Sequence, residues 1–466
     1  MLFSSITFLY VFLPLVLLVY FVMPRRLKNS VLLFASLLFY AWGEPKYVIL
    51  MIGSILLGYI FGLLIEHYRG TAKAKLFLIL SVSINVLALG IFKYADFFIS
   101  SFGAATGISV QLLGLALPIG ISFYTFQILS YTVDVYRGNA RAQKNILHLG
   151  TYIAMFPQLI AGPIVRYTEI EARLGNRTHS FDSISQGARR FILGLSKKVL
   201  IANQLGELCE IFRASGDKSV LFFWLYALAS ILHIYFDFSG YSDMAIGLGK
   251  IFGFDFVENF QYPYISASIT EFWRRWHISL GNWFRDYVYI PLGGNRVSKL
   301  RWVRNIWIVW LLTGFWHGAA WNFVAWGAFF AILLLLEKWF LKPYLEKAKV
   351  WNHIYVILMS MISFVIFGAD TLADAGHYII SMFGAGGYPL LSAECTYYFW
   401  SYLLILVIAC VGATPLPKQL YATCCKTERG QRICNVLEVI LLPILLLVVT
   451  AFLVDGSFNP FLYFRF

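Results

Sequence analysis

The sequence predicts an all-α integral membrane protein with about eleven or twelve membrane-spanning helices. Of its 466 residues, 59% are hydrophobic and only 13% are charged, and the mean hydropathy is +0.71. A soluble domain carries about 25% charged residues. Apolar runs long enough to cross a bilayer recur along the whole chain, and basic clusters separate alternate runs. A soluble globular protein is therefore excluded.

The apolar runs define the predicted spans in chain order. The predicted spans are residues 6–23, 29–43, 47–66, 76–92, 117–135, 219–237, 305–319, 320–337, 353–369, 397–413 and 435–454. A shorter, glycine-interrupted run at 241–254 predicts either a further crossing or a half-helix. No basic residue precedes the first run and no small-residue cleavage site follows it, so we expect a retained span and not a signal peptide.

The basic residues have a topological explanation. The net charge is +13 and the isoelectric point is about 9.3. Lysine and arginine collect in the cytoplasmic loops of membrane proteins, and no basic domain stands apart from the apolar runs. We therefore expect no nucleic-acid partner. With 241–254 counted as a crossing, the charge pattern predicts a multi-pass cell-membrane protein with both termini outside.

Two segments depart from the simple pattern of spans. In the stretch 147–165, the run 154–163 contains two prolines and a glycine in a hydrophobic context, and basic residues flank the stretch on both sides, which predicts a re-entrant segment. The stretch 181–203 is amphipathic and basic, which predicts a cytoplasmic interfacial helix. Within the third span, Gly58 and Gly62 predict a close helix–helix contact. Cys424, Cys425 and Cys434 share a basic loop, but a zinc site there would need a fourth ligand.

A histidine lies inside one of the predicted spans. Residues 311–321 read LLTGFWHGAAW, which places His317 in a hydrophobic helix. An ionisable side chain in hydrocarbon is costly and is usually functional. Aromatic neighbours exclude water and keep an imidazole partly neutral, as a general base requires. The small residues beside it either let helices approach or leave space for a substrate: Gly314, Gly318, Ala319 and Ala320.

A second histidine, His277, lies forty residues upstream. Aromatic and apolar side chains from Trp273 to Tyr287 recur at helical spacing, and His277 falls on this face. The alternative to a functional role is a core histidine bonded to a backbone carbonyl. Two buried histidines together favour proton transfer. We expect the lining of the surrounding tunnel to include Trp276, Trp310, Thr313, Trp316, Trp321, Asp237 and Asp243.

A metal site is the rival interpretation of the two histidines. Asp237, Asp243 and Asp286 are candidate further ligands, but none shows an evident spacing to either histidine. The sequence therefore predicts neither a metal nor another bound cofactor.

The two histidine segments resemble a known family. Residues 271–296, EFWRRWHISLGNWFRDYVYIPLGGNR, and 313–321, TGFWHGAAW, are similar to the bacterial branch of the membrane-bound O-acyltransferases (MBOAT). The likeness covers most of the chain and is nearest to the membrane subunits of alginate and other exopolysaccharide O-acetylation systems. It implies one membrane domain over 1–466, made of N-terminal spans (1–146), a catalytic core (147–343) and C-terminal spans with an extracytoplasmic tail (344–466).

The resemblance also implies roles for individual residues. His317 would be the essential catalytic residue and His277 its partner. Acetyl-CoA would be the acyl donor, and an extracytoplasmic partner resembling SGNH hydrolases would place the acetyl group on a polysaccharide. We expect the donor's phosphates to meet Arg274, Arg275, Lys197 and Lys198. The preference for basic residues on the cytoplasmic side also accounts for these charges without any ligand.

The last eight residues, NPFLYFRF, allow two interpretations. They form an aromatic anchor at the membrane interface, or the hydroxyl of Tyr463 carries the acyl group. The second interpretation rests on a resemblance to the terminal motif of acyl-relay partners in such pathways.

The predicted function is transmembrane O-acetylation of a cell-surface polysaccharide, and two alternatives stay open. D-alanyl transfer to teichoic acid is one, although the related subunits lack the IPLGGNR continuation found here at 290–296. A lipid-linked sugar transporter is the other, although transporters usually show paired halves with corresponding broken helices. The sequence does not identify the acceptor polymer, the partner or the number of subunits.

Overall fold

Helix is the only regular secondary structure in residues 2–160 and 162–456, which are the residues that the computed structural model describes. This confirms the predicted all-α class. The chain divides into two units, one formed by Met1–Phe191 and Met244–Val257, and the other by Ile192–Asp243 and Glu258–Phe466.

The first unit takes up the N-terminal helices. They are α1 (Leu13–Val22), α2 (Lys28–Gly43), α3 (Val48–His67), α4 (Ala72–Leu89), α5 (Ala95–Thr106), α6 (Ile121–Arg137), α7 (Ile146–Ala154), α8 (Phe156–Leu159), α9 (Tyr167–Gly175) and most of α10 (Phe181–Ser196). Gly58 and Gly62 lie where α3 packs on α6. A Cβ on Gly62 would stand 2.5 Å from the hydroxyl oxygen of Tyr131, and one on Gly58 would stand 3.3 Å from Ile128. The predicted close contact at these glycines is confirmed.

The predicted re-entrant stretch forms two short buried helices, α7 and α8. Asn145 caps the first through its side chain, and Met155 interrupts the helix before the Phe156–Pro157 pair. The interrupted backbone is bonded within the protein, because the amide of Phe156 donates to the hydroxyl of Ser36 on α2 at 3.0 Å. Irregular backbone at membrane depth needs such internal partners.

The second unit contains the longest helix and the catalytic candidates. Its elements are α11 (Asn203–Ala214), α12 (Val220–Ile251), α13 (Ile269–Arg275), α14 (Ile278–Phe284), α15 (Lys299–His317), α16 (Trp321–Leu336), α17 (Lys342–Leu345), α18 (Trp351–Gly368), α19 (Leu372–Met382), α20 (Ala393–Gly412), α21 (Leu416–Cys424) and α22 (Glu428–Asp455). A π-helical stretch, Lys197–Ala202, joins α10 to α11, so the helix predicted over 181–203 is part of a longer one.

Seven helices among the described residues are long and apolar enough to cross a membrane by length and composition. They include α3, α12, α18, α20 and α22, and Phe8–Val22 is a shorter apolar helix. Residues 241–251 of the run predicted as a twelfth crossing continue α12 without a break, so the idea that this run crosses separately is wrong. The orientation of the two termini, which depended on that count, stays a prediction.

Burial differs sharply between these helices. For α12, 67% of the apolar window is buried within the protein, whereas the value for α22 is 6%. An apolar helix that is not covered by protein needs lipid around it, because hydrocarbon is the solvent that tolerates such a surface. The apolar window of α12 is therefore mostly covered by protein, whereas most of α22 is exposed.

Candidate active site

His317 is the last residue of α15, and aromatic rings enclose it. The ring centroids of Trp326 on α16 and Phe367 on α18 lie 5.1 and 5.2 Å from the imidazole centroid, both edge to face. The adjacent Trp316 ring lies at 5.0 Å. The imidazole is buried in a site with little room for bulk water, which suits a residue that exchanges a proton with one substrate group.

Glycines bring the two helices of the His317 hairpin into backbone contact. A methyl group on Gly314 would collide with the carbonyl group of Phe323, and one on Gly327 would collide with the carbonyl group of Trp310. The sequence left open whether the small residues admit a helix or a substrate. For Gly314 the structure answers this question, because the missing side chain allows α16 to pack against α15.

His277 lies in a break between two short helices. The predicted single helical face from Trp273 to Tyr287 is wrong at this point, because α13 ends at Arg275 and α14 begins at Ile278. His277 has φ +44° and ψ +53°, a left-handed conformation that non-glycine residues rarely adopt. Its side chain is nevertheless buried, as the sequence predicted.

A buried asparagine holds His277 in this position. The carbonyl oxygen Oδ1 of Asn259 lies 3.1 Å from Nδ1 of His277 and accepts hydrogen bonds from the amide (3.3 Å) and hydroxyl (2.9 Å) of Ser279. The backbone amide of Ile278 donates to the carbonyl of Asn259 at 3.0 Å. On its other side, Nδ2 of Asn259 donates to the hydroxyl of Ser242 on α12 at 3.1 Å.

Both histidines contact the ring of Trp316. The His277 centroid lies 5.8 Å from this indole and 4.7 Å from Phe238 of α12. Burial lowers the pKa of His277 well below its usual range, and the nearby His317 lowers it further. His277 is therefore neutral at physiological pH. The structure brings together the two histidines that the sequence singled out.

Glu337 fixes the start of the helix that leads into His277. This buried carboxylate, just beyond α16, accepts hydrogen bonds from the amides of Ile269 (2.5 Å) and Thr270 (2.9 Å) and from the Thr270 hydroxyl (2.8 Å). An acceptor with negative charge is favoured at a helix N-terminus, where the amides lack helical partners. The contact joins α13 to the end of the helix that follows His317.

The second unit contains a cavity of about 340 Å³, and His317 itself is not part of its wall. Phe367 belongs both to the wall of this cavity and to the shell of rings around the imidazole. Other parts of the wall are polar, including Arg213, His233 and Asn322. Arg213 is anchored there by Glu210 (2.8 Å) and by the carbonyl of Gly368 (2.9 Å).

The four basic residues predicted to meet the donor differ in their surroundings. Arg274 is exposed. Arg275 pairs with Glu271 at 2.8 Å, and Lys197 pairs with Asp243 at 2.7 Å. The prediction does not fit Lys198, because Lys198 and Asp237 form an ion pair at 2.6 Å in which both side chains are only 1% exposed.

The predicted tunnel residues also separate into groups. Trp276 is buried between Phe260 and Phe272 and contacts Phe364 of the cavity wall (centroids 5.1 Å apart). Trp310 and Thr313 are buried within the second unit, where Thr313 bonds to the carbonyl of Val309. Trp321 does not fit a lining role, because α15 ends at His317 and Trp321 starts the next helix with 56% of its surface exposed.

The aspartates considered as metal ligands are engaged elsewhere. Asp237 and Asp243 pair with lysines, and Asp286 pairs with Arg285 at 2.7 Å. Within residues 2–160 and 162–456, no group of three His, Cys, Asp or Glu side chains is arranged to hold a metal ion. Tyr463 lies outside the described residues.

Asn259, Glu337 and His233 were not predicted from the sequence. Asn259 and Glu337 act at a distance of eighteen and sixty-eight residues from the groups they hold, so no local pattern marks them. His233 lies in the long apolar helix α12, and the signal available for it was the one used for His317, an imidazole in a predicted span.

Known proteins similar to this chain point to one enzyme family. The model of the MBOAT, membrane-bound O-acyltransferase family, matches residues 47–368. The chain is 44% identical to the probable alginate O-acetylase AlgI of Pseudomonas syringae pv. tomato over 84% of this chain and 76% of that protein. It is 39% identical to the protein of the same name from Pseudomonas putida over the full length of both. The peptidoglycan O-acetyltransferase of Helicobacter pylori is 35% identical over 85% of this chain and 82% of its own length.

Proposed function

Because this chain belongs to the membrane-bound O-acyltransferase family, we propose that it transfers an acetyl group from a thioester donor at the cytoplasmic side to an acceptor outside, for O-acetylation of a cell-surface polysaccharide. Its relatives named for alginate and for peptidoglycan both support acetyl transfer to a polysaccharide. The observation that carries the proposal is the pair of buried histidines that both contact Trp316, together with Phe367, which contacts His317 and forms part of the wall of the cavity.

His317 acts as the general base in this proposal. It takes the proton of the acceptor hydroxyl as that oxygen attacks the thioester carbonyl carbon. The tetrahedral intermediate then expels the thiolate, which recovers the proton, and the new oxygen ester remains on the acceptor. General-base catalysis of this kind contributes about 100- to 10,000-fold to a rate.

The donor in this proposal is acetyl-CoA, and Arg274 is its principal phosphate contact. Arg274 is exposed, whereas Arg275 and Lys197 are paired and Lys198 is buried. A guanidinium binds phosphate oxygens in a bidentate manner, which favours arginine at such a position.

The acceptor hydroxyl approaches through the cavity beside Phe367. A volume of about 340 Å³ is at the lower end for small-ligand pockets, so the cavity admits one hydroxyl-bearing group and not a polymer chain. A partner that carries the acetyl group onward to the polysaccharide is therefore part of the proposal, and the family resemblance implies the SGNH-hydrolase class for it.

Replacing His317 with Gln tests the proposal. We expect acetylation of the cell-surface polysaccharide to fall at least about 100-fold at unchanged protein level in the membrane. His353→Gln is the matched control, because the imidazole of this part-buried histidine of the same unit bonds to the carbonyl of Ser266 and lies outside the site. Isolated membranes supplied with radiolabelled acetyl-CoA provide the second measurement, with label in the acceptor fraction and release of free thiol as the readouts.

The two measurements separate the parts of the proposal. Normal acetylation in the His317→Gln variant would show that the histidine is not the base. Activity with an aminoacylated carrier protein in place of acetyl-CoA would replace the donor but keep the acyl-transfer mechanism.

A further inference from the structure

The hydrogen bonds around Asn259 determine which nitrogen of His277 carries the proton. A backbone N–H is always a donor, so the amide of Ser279 identifies the side-chain atom it meets as the carbonyl oxygen of Asn259. That oxygen is a pure acceptor. Nδ1 of His277, which lies 3.1 Å from it, must therefore be the protonated nitrogen. In a neutral imidazole with a proton on Nδ1, the other nitrogen, Nε2, presents a lone pair.

We propose that Asn259 is a positioning residue that holds His277 in the neutral tautomer with the proton on Nδ1, so that Nε2 accepts a hydrogen bond or a proton and does not donate one. The inference rests on the proposed acyl transfer and specifies how one residue of that site works. Two roles are open to His277 in such a site, and the tautomer decides between them. A neutral Nε2 orients or shares a proton with the reacting groups, whereas stabilisation of an oxyanion would require a donor.

The surroundings of His277 favour this single state. The aromatic rings that contact it, Phe238 and Trp316, are neutral, and the titratable imidazole of His317 lies close enough to disfavour protonation of His277. A second proton on His277 would be buried beside another titratable imidazole. Asn259 supplies an acceptor of no charge, which fixes the tautomer without attracting that second proton.

Asn259 also holds the backbone at His277 in place. The left-handed conformation at φ +44° is an unfavourable one for a side chain with a Cβ, and such strain persists only where neighbouring bonds enforce it. The carbonyl of Asn259 accepts from the amide of Ile278, directly after His277. The side-chain nitrogen Nδ2 of Asn259 donates a hydrogen bond to the hydroxyl of Ser242 on α12. Asn259 thus connects the break between α13 and α14 to the central helix of the unit.

Two substitutions at this position separate tautomer control from simple packing. Asn259→Ala removes the acceptor, and because a buried hydrogen bond of this kind is worth about tenfold in an equilibrium constant, we expect activity to fall about 10-fold or more. Asn259→Asp keeps an acceptor toward Nδ1 but adds a negative charge, which raises the pKa of His277. Because the site needs His277 neutral, the acid limb of the pH–rate profile should move toward higher pH in this variant.

A stability measurement tests the same point without any activity. In the wild type the folded-state pKa of His277 is depressed. Stability is therefore lost as the pH falls through the unfolded value near about 6.5, where the unfolded chain takes up a proton. Asn259→Asp lets the folded state take up that proton as well. Between about pH 8 and about pH 5 its melting temperature in detergent should fall less than that of the wild type.

Asn305→Asp is the matched control. Asn305 is a fully buried amide of the same unit that donates to the carbonyls of Leu292 and Gly294 and accepts from Arg304, so a carboxylate at this position would face a guanidinium and not an imidazole. Asn305→Asp should leave the acid limb of the pH–rate profile at its wild-type position and should not reduce the fall of the melting temperature at acid pH. The inference is overturned if Asn259→Asp shows the wild-type pH dependence in both measurements, or if Asn259→Ala retains the wild-type rate. A wild-type protein that transfers no acetyl group would instead refute the proposed function, and the stability profile would still decide the role of Asn259.

Discussion

The buried ion pair between Lys198 and Asp237 provides a quantitative test of how this fold tolerates charge. Its nitrogen and oxygen lie 2.6 Å apart, and neither side chain exposes more than 1% of its surface. Lys198→Met or Asp237→Asn would leave the other charge buried. We expect the double substitution to leave a neutral pair of similar shape.

The expected magnitudes follow from this burial. Removing one partner of a buried pair costs about 3–5 kcal/mol, whereas replacing both with neutral groups is close to neutral or stabilising. A loss of about 3 kcal/mol lowers the ratio of folded to unfolded protein by more than about 100-fold. The pair between Lys342 and Glu346 is the contrast, because its side chains are 69% and 66% exposed and its atoms lie 3.8 Å apart. Breaking it with Lys342→Met should cost less than about 1 kcal/mol.

Two measurements test this expectation for the Lys198–Asp237 pair: thermal unfolding in detergent and acetyl transfer in membranes. Each single variant at the buried pair should melt well below the wild type, and the double variant should melt close to it and retain activity. Single variants as stable as the wild type would refute the argument from burial. A stable double variant with a raised KM for the donor would show that Lys198 does contact the donor, against its placement in the structure.

Three further predictions concern the site and the tail. His277→Asn keeps a short polar side chain at a left-handed position and should retain more acetyl transfer than His317→Gln. Complete loss of activity in both variants would show that the two histidines act as one unit. Gly314→Ala should destabilise the protein by about 1–3 kcal/mol through collision with Phe323, whereas Gly376→Ala, whose new methyl group meets nothing within 4 Å, should not lower the melting temperature. Tyr463→Phe should abolish acetylation of the polymer at normal protein abundance if its hydroxyl carries the acyl group, and should leave it intact if the tail is an anchor.

The fold class followed from composition, while the number and limits of the helices did not. Hydropathy detects where a span is apolar, so residues 241–254 looked like a separate run. Gly247 and Gly249 interrupt the hydropathy there but not the helix, because both are packed closely inside the protein, where a glycine has its own role. The apolar character of α12 was predictable from the sequence, but the continuation of the helix through these two glycines was not.

The same distinction applies to the catalytic candidates. His277 and His317 were predictable because an ionisable side chain in an apolar segment is unusual wherever it occurs. The break at His277 was not, because helical spacing of the aromatic residues continues across it. Asn259 and Glu337 enforce that break from distant parts of the chain, and the bonds they make depend on the tertiary structure. The burial of Lys198 was not predictable either. A basic residue beside a predicted span can face the cytoplasm or pair with a buried carboxylate, and the local sequence does not distinguish the two.

The glycine contact in the hairpin of α15 and α16 has a mechanical consequence. Where Gly314 and Gly327 meet, no layer of deformable side chains separates the two backbones. The hairpin is consequently stiff along this stretch, and the imidazole at its tip is a fixed reference point for any group that arrives there. Under the proposed function, a different acceptor would be accommodated by changes in the cavity wall at residues such as Phe364, whereas a change at Phe367 would also alter the ring shell of His317. Substrate range would then be set by the cavity wall, and the position of the proposed base by the glycine contact.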